Sequence, residues 1–208
     1  SNIRNQKMNL ARGVFNSARV RHLLNNLCAL DSTIYLDIGT YRGISLSSAL
    51  HKNKNTYAYA IDKFNYDPYS ASYSEEHSNA VLRGMEDSLK ISGCSPDQIK
   101  NIIKGDMRSF SLKEISDTIN VCYYDGGVSP DDSYKTIKHI NNLFSQYAII
   151  VCSNTQNPEI AIGIEKALKE SLIITHHTIA MRSKVMNDDN TWWNGVKLWL
   201  IERPLDEK

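Results

Sequence analysis

The sequence predicts an α/β fold: a doubly wound, mostly parallel sheet of seven strands, with an antiparallel last strand, helices on both faces and an extra N-terminal helix. Three observations favour this fold. Short apolar runs alternate with helical periodicities, which is typical of strands joined by helical crossovers. The first run ends in an acid and a glycine turn. The last two runs have no helix between them, which indicates an antiparallel hairpin at the sheet edge.

The strand predictions rest on runs rich in Val, Ile, Leu, Ala and Tyr that are bounded by polar residues, glycine or proline. Near-continuous apolar character is typical of parallel strands that are buried on both faces. In chain order, the predicted strands are Thr33–Ile38, Thr56–Ile61, Ile99–Ile103, Ile119–Tyr124, Tyr147–Cys152, Leu172–Ile179 and Gly195–Glu202.

The helix predictions rest on apolar side chains that recur three and four residues apart. Either Asp131 or Asp132 is expected to cap the fourth helix, and Pro158 suits the first position of the last one. In chain order, the predicted helices are Ile44–His51, 75–92, a short helix near 111–116, Asp131–Gln146 and Pro158–Glu170.

An amphipathic helix, or two, is predicted within residues 8–30, inside an N-terminal extension that spans 1–32. Residues 33–208 are expected to form the α/β unit of a single domain. Basic residues precede the first acid, Asp31, and a solvated surface is their simplest interpretation. A substrate lid, an oligomer contact and a patch for an acidic ligand stay open. These basic residues are Arg4, Lys7, Arg12, Arg19 and Arg21.

Composition excludes several classes of protein. The chain is 41% hydrophobic and 23% charged, with a formal net charge of +1, which argues against a dedicated nucleic-acid binder. No apolar run is long enough to cross a membrane and no signal-peptide pattern opens the sequence, so we expect a cytoplasmic protein without a membrane partner. The cysteines lack metal-ligand spacing and are expected to be free thiols. They are Cys28, Cys94, Cys122 and Cys152.

Acidic residues stand at the ends of four successive predicted strands. Right-handed crossovers bring the carboxyl ends of parallel strands to one edge, where open α/β sheets bind ligands. One such acid is more often a loop cap, but four in succession beside a glycine turn predict a ligand site. Asp62 follows Gly39 by 23 positions, which suits a carboxylate that binds ribose hydroxyls. The four acids are Asp37, Asp62, Asp106 and Asp125.

The sequence of the glycine turn limits the class of ligand that the site can bind. It reads Gly39-Thr40-Tyr41-Arg42-Gly43, which is neither the dinucleotide fingerprint nor a phosphate-binding loop. An acid also stands two positions ahead of Gly39. A carboxylate there repels a pyrophosphate but tolerates a cationic cofactor with a free amino group.

Four motifs together resemble those of the class I S-adenosylmethionine-dependent methyltransferases, which have a Rossmann-like fold. They read D-I-G-T-Y-R-G-I-S, A-I-D-K, K-G-D-M and Y-Y-D-G-G-V-S, in the order of that family. The resemblance covers about residues 33–203. It is strongest to the caffeoyl-CoA O-methyltransferase-like group and to its bacterial relatives of the methyltransferase 24 type.

The resemblance implies S-adenosylmethionine as cofactor and a role for each matching residue. Asp62 would hold the ribose hydroxyls with Lys63 beside it, and Asp106 and Met107 would border the adenine. Asp125 would lie near the transferred methyl and is the best-placed general base, with a turn or capping role as its alternative. In the turn, the implied cofactor-binding residues are Asp37, Gly39, Thr40, Tyr41, Gly43 and Ser45.

The chain also departs from its relatives. Tyr41 stands where many members have a second glycine, and Val128 replaces a histidine after the fourth strand. Metal-dependent members end the fifth strand in Asp-Asn, whereas this chain reads Ser153-Asn154. Asp125 and Asn154 are too few oxygen ligands for Mg²⁺ or Ca²⁺, so no catalytic metal is expected.

The resulting hypothesis is a methyltransferase that acts on an oxygen or nitrogen atom of a small molecule. A catalytically degenerate binder of S-adenosylmethionine or S-adenosylhomocysteine and a nicotinamide-dependent oxidoreductase are the alternatives, and nucleic-acid methylation is the least favoured. The sequence does not specify the acceptor, the pathway or the oligomeric state. A homo-oligomer is compatible with it.

Other aromatic residues and histidines carry weaker expectations. His176 and His177 should point to opposite faces of a strand and serve in packing, and His139 should lie on the exposed side of its helix. Aromatic residues of two loops could wall a substrate pocket or pack the hairpin. They are Tyr66, Tyr69, Tyr73, Trp192 and Trp193.

Overall fold

The structure is a computed structural model, and it describes residues 16–65, 74–127, 129–184, 187 and 190–204. Its centre is a seven-stranded sheet in the order β3-β2-β1-β4-β5-β7-β6. The strands are β1 Ile34–Ile38, β2 Tyr57–Asp62, β3 Ile99–Lys104, β4 Ile119–Tyr124, β5 Phe144–Ser153, β6 Ile174–Met181 and β7 Val196–Glu202.

The pairing confirms the predicted topology. Strands β1 to β5 pair in parallel, and β7 is antiparallel to both β5 and β6. Strand order runs outward from β1 in one direction to β3 and in the other to β5, so the order reverses between β1 and β4. A crevice opens at such a reversal because the flanking crossover helices lie on opposite faces of the sheet.

Helices cover both faces, as predicted. On one face α4 and α5 bury Ile137 and Ile164 in the same apolar cluster as Leu36 of β1. On the other face α1, α2 and α3 pack against Tyr35 and its neighbours. The helices are α1 Ala18–Leu27, α2 Ile44–Leu50, α3 Glu75–Ile91, α4 Pro130–Ile140 and α5 Pro158–Glu170.

The fourth helix differs from its prediction at both ends. It ends at Ile140, a 3-10 turn covers Asn141–Leu143, and β5 begins at Phe144, so the predicted helix to Gln146 is too long. Its cap is Ser129, whose Oγ accepts the backbone N–H of Asp132, rather than either predicted aspartate. Pro130 explains the cap, because proline is favoured at the first helical position and the capping residue must immediately precede it.

The short helix predicted near 111–116 is a 3-10 turn at Leu112–Glu114. The predicted environments of three histidines are also wrong. His176 and His177 are exposed rather than packed, because β6 is an edge strand and all of its residues except Met181 are exposed. His139 is half-buried, with Nε2 2.7 Å from the Phe110 carbonyl oxygen, so its predicted exposure is wrong.

The structure also bears on the cysteines, on membrane-spanning helices and on the N-terminal helix. All four cysteines are free, and all but the half-buried Cys94 are buried, as expected. Within the described ranges, no helix is long and apolar enough to cross a membrane. Of the N-terminal prediction, α1 lies within residues 8–30, and the part before Asn16 lies outside the described residues.

Candidate functional site

A cavity of about 580 Å³ opens at the carboxyl ends of the strands, above the point where strand order reverses. Loops that follow β1 to β5, the amino end of α1 and the loop before β7 contribute to its wall. Its lining residues include Asn16, Gly39, Thr40, Tyr41, Arg42, Ile44, Ser45, Ile61, Asp62, Lys63, Met107, Arg108, Asp125, Gly126, Asp132, Asn154, Asn187, Trp193 and Asn194.

The glycine turn brings backbone, rather than side chains, to the cavity floor. Gly39 has φ +82°, and a Cβ there would lie 2.5 Å from the Asp125 carbonyl oxygen. Gly43 has φ +72°, and a Cβ there would lie 2.7 Å from Met85 Cγ. Glycine is therefore required at both positions, by conformation and by space.

The backbone of Tyr41 has φ +45°, which lies in the left-handed region that glycine adopts most readily. Its backbone N–H donates to Asp62 Oδ2 over 2.8 Å, and its side chain lines the cavity. The turn therefore accommodates a tyrosine in a conformation that favours glycine, at a cost of roughly 1 kcal/mol of backbone strain.

Asp37 is buried beneath the turn and does not line the cavity. Its Oδ2 accepts hydrogen bonds from Thr40 Oγ1 (3.0 Å) and Ser45 Oγ (2.7 Å). Its Oδ1 has no hydrogen-bond partner among the described residues. Burial raises the Asp37 pKa to about 7. The carboxyl group thus fixes the two hydroxyls that do line the cavity.

Asp62 presents its carboxylate to the cavity. Oδ2 accepts the Tyr41 N–H, and Oδ1 accepts the Phe64 N–H over 2.6 Å. Burial raises its pKa, although backbone hydrogen bonds from Phe64, Tyr41 and Lys63 oppose that shift. Each carboxylate oxygen can accept a second hydrogen bond, so Asp62 retains acceptor capacity toward a ligand.

Asp106 lies in an ion-pair network at the rim rather than in the lining. Arg108 binds both of its oxygens, at 2.9 and 2.7 Å, and Lys63 Nζ lies 2.9 Å away. The hydrogen bonds from Arg108 are the main cause of an Asp106 pKa well below its usual range. Arg108 also reaches Asp132 Oδ1 over 2.9 Å and so joins β3 to α4 across the rim.

Asp125 is partly buried and lines the cavity on the opposite side of β1 from Asp62. Asn154 Nδ2 donates to its Oδ1 over 2.6 Å, and the Tyr123 hydroxyl donates to its Oδ2 over 3.3 Å. Burial raises the Asp125 pKa to about 7. A carboxylate held in this way can accept a proton near neutral pH.

A chain of asparagines extends from Asp125 toward the loop before β7. Asn194 Nδ2 donates to Asn154 Oδ1 (3.2 Å) and to Asn187 Oδ1 (3.0 Å). The backbone N–H of Asn187 returns a hydrogen bond to Asn194 Oδ1 over 2.6 Å. In this arrangement Asn154 directs its amide nitrogen at Asp125, which is the opposite of a metal-ligand orientation.

Most of the predicted site residues meet at this cavity. Asp37, Gly43 and Asp106 support it from behind the lining, and Trp192 packs against the α1 face of the sheet while Trp193 lines the cavity. Tyr66, Tyr69, Tyr73 and Val128 lie outside the described residues. The predicted residues that line it are Gly39, Thr40, Tyr41, Ser45, Asp62, Lys63, Met107 and Asp125.

Sequence reasoning missed several lining residues because each belongs to a loop. Asn194 was recognisable only as part of the W-N-G motif before the last strand, and Asn16, Arg108 and Asn187 carried no signal. Among the described residues, no group of three or more histidine, cysteine or acidic side chains could hold a metal ion.

Solved structures with this fold include several methyltransferases. The first, cofactor-bound Rv0187 from MTB, has a TM-score of 0.62 at 14% identity, over 98% of this chain and 89% of its own. The O-methyltransferase TomG from Streptomyces achromogenes, in complex with SAM, has a TM-score of 0.61 at 13% identity, over 89% and 81%. A SAM-dependent O-methyltransferase from Thermotoga maritima has a TM-score of 0.60 at 12% identity, over 91% and 66%.

These likenesses confirm the expected Rossmann-like fold of class I methyltransferases. At such identities a shared fold does not fix the reaction. No family model matches the chain, and no curated protein matches it.

Proposed function

We propose that this chain is an S-adenosylmethionine-dependent methyltransferase that modifies an oxygen or nitrogen atom of a small molecule. The main observation in support is a pair of carboxylates, Asp62 and Asp125, that face one cavity from the two sides of the point where strand order reverses. Carboxylates in those positions favour a ligand with hydroxyls on one side and a cationic group in the middle, and they disfavour a pyrophosphate.

The residues present fit this cofactor. Asp62 keeps one acceptor site on each oxygen for a ribose diol, because each oxygen already accepts one backbone N–H. Gly39 and Gly126 leave the floor at backbone level, since a Cβ at either would lie within 2.7 Å of neighbouring atoms. Ile61 and Met107 offer apolar surface on the same side, suited to an adenine ring.

The remaining chemistry rests on the residues around Asp125. The cofactor would supply an electrophilic methyl group on a sulfonium sulfur, which keeps the bonding electrons when the methyl leaves. Asn154 and Tyr123 hold the Asp125 carboxylate by both oxygens, so that it can accept the proton that the acceptor's hydroxyl or amine gives up. Orientation of the acceptor and this proton transfer are the contributions of the protein.

We further propose a small-molecule acceptor and a cytoplasmic location. The formal net charge of +1 supports a small molecule, because a nucleic-acid substrate would demand a basic surface. Four free cysteines support a reducing compartment.

Calorimetric titration of the protein with S-adenosylmethionine, S-adenosylhomocysteine and NAD⁺ tests the cofactor assignment. We expect both sulfur compounds to bind at one site and NAD⁺ not to bind. Asp62→Ala should weaken S-adenosylhomocysteine binding about tenfold or more, because a charged hydrogen-bond acceptor is lost. Asp97→Ala removes an exposed aspartate from the opposite edge of the sheet and serves as the matched control.

Binding of NAD⁺ alone would overturn the proposal in favour of an oxidoreductase. Equal weakening by Asp62→Ala and Asp97→Ala would refute the role of Asp62. S-adenosylhomocysteine binding without methyl transfer to a broad panel of hydroxyl and amine acceptors would leave a cofactor binder without catalysis.

A further inference from the structure

The two sides of the cavity differ in chemistry. The side formed by β2, β1 and β3 contains the aliphatic lining residues Ile44, Ile61 and Met107. The other side, termed here the β5 side, consists of Asn16, Asp125, Gly126, Gly127, Asp132, Asn154, Asn187, Trp193 and Asn194. Among these described residues, amides and carboxylates predominate and Trp193 is the single large apolar surface.

Hydrogen bonding fixes the orientation of the amides on the β5 side. Ionised Asp125 can only accept, so Asn154 must direct its NH₂ group there and its oxygen toward Asn194. Asn194 must then direct its NH₂ group at Asn154 and Asn187, while its oxygen accepts the Asn187 N–H. The chain therefore presents donors and acceptors in a set order along the wall, and their protein contacts do not exhaust the capacity of its carbonyl oxygens.

Asn16 provides an independent sign of a ligand. The residue is 6% exposed and lines the cavity, and its Nδ2 donates to the Tyr123 hydroxyl over 3.1 Å. Its Oδ1 has no hydrogen-bond partner among the described residues. A buried amide oxygen without a partner is costly, and a ligand that donates a hydrogen bond there would remove the cost.

The basic residues near this side are already neutralised. Arg108 binds Asp106 and Asp132, and Lys63 binds Asp106. Arg42 lies on the other side, with its guanidinium 5.6 Å from the Tyr41 ring centre. An anionic acceptor would therefore meet Asp125 and Asp132 with no uncommitted cation on the β5 side among the described residues, which is unfavourable.

We propose that the β5 side binds a neutral, hydroxyl-rich acceptor of the glycoside class, rather than an aromatic acid or a coenzyme A thioester. Vicinal hydroxyls both donate and accept, which matches amides whose orientation is fixed. The apolar face of a sugar ring can stack on Trp193, and one hydroxyl would lie beside Asp125 for deprotonation. This inference rests on the proposed function for the meaning of Asp125, but the binding site itself does not require the cofactor.

The test measures binding by saturation-transfer NMR and tryptophan fluorescence, with and without saturating S-adenosylhomocysteine. The probes are the methyl glycosides of glucose, mannose and galactose, with neutral catechol and anionic 3,4-dihydroxybenzoate as comparators. We expect at least one glycoside to bind in both conditions and to bind about tenfold or more tightly than 3,4-dihydroxybenzoate. Asn194→Leu should weaken glycoside binding about tenfold, because paired amide contacts are lost.

Asn142→Leu, at an exposed position on the opposite edge of the sheet, is the matched control and should leave glycoside binding unchanged. A cooperative melting transition close to that of the wild type, followed by circular dichroism, shows that Asn194→Leu is folded. Tighter binding of catechol or 3,4-dihydroxybenzoate than of every glycoside would overturn the inference, as would no glycoside binding in either condition or an unaffected Asn194→Leu variant. If S-adenosylhomocysteine does not bind but a glycoside does, the result would refute the proposed function and leave the inference about the β5 side intact.

Discussion

The contact between α4 and α5 yields a stability prediction in which two effects oppose each other. Gly163 lies within α5, where alanine is normally preferred to glycine by about 1 kcal/mol. A Cβ at Gly163, however, would lie well inside 3.0 Å of Ser133 Oγ and of the Pro130 carbonyl oxygen. That carbonyl belongs to the first turn of α4 and cannot rotate away as a side chain can, so steric overlap should dominate.

The magnitude follows from the two terms. Overpacking costs roughly 1–3 kcal/mol, and the upper value applies here because relief requires a helix to move. After subtraction of the gain in helix propensity, Gly163→Ala should lower the free energy of unfolding by about 2 kcal/mol. For a chain of 208 residues, the melting temperature should fall by roughly 4–8 °C.

The matched control is the same substitution in α3. A Cβ at Gly84 would meet only the flexible side chain of Arg42, at 3.4 Å, so Gly84→Ala should raise the free energy of unfolding by about 0.5–1 kcal/mol. Urea unfolding followed by circular dichroism measures both variants. A Gly163→Ala variant as stable as the wild type, or equal destabilisation by both substitutions, would refute the argument from close packing.

Two further predictions concern buried ionisable groups. Burial raises the Asp37 pKa from 3.8 to about 7, so its ionisation destabilises the fold as pH rises through that interval. Asp37→Asn should therefore lose less unfolding free energy than the wild type between about pH 4 and pH 7, and an equal loss would contradict the assignment. Ellman's reagent should label at most Cys94 in the native protein, and slowly, because burial raises its pKa to about 11. Rapid native labelling of a second thiol would show that the other cysteines are not buried.

Sequence periodicity predicted the centre of the sheet well because β1, β2 and β4 are buried along most of their length and read as continuous apolar runs. The end of α4 was predicted poorly because a 3-10 turn and the start of β5 continue the apolar spacing of the helix past Ile140. The capping residue was predicted wrongly because Pro130 occupies the first helical position. The helix therefore begins one residue before Asp131 and Asp132, which resemble caps in the sequence.

Residues at strand ends were predictable as site candidates, but loop residues were not. Parallel topology alone brings Asp62 and Asp125 to one edge. Asn16, Asn187 and Asn194 reach the cavity from the amino end of α1 and from the loop before β7, and no periodicity connects such segments to the strands. The sequence consequently predicted the side formed by β2, β1 and β3 in more detail than the β5 side.

Register explains why four similar aspartates acquire three different environments. Ile38 of β1 is level with Ile61 of β2 and Tyr124 of β4, so Asp37 lies one residue below that level while Asp62 and Asp125 lie one above. At about 3.3 Å per residue, Asp37 is about 7 Å deeper than either, which buries it under the turn. Asp106 follows Lys104, the partner of Asp62, by two residues, which carries it past the cavity to the rim. Because the offset, and not the residue type, sets burial and charge pairing, only Asp62 and Asp125 remain able to contact a ligand directly.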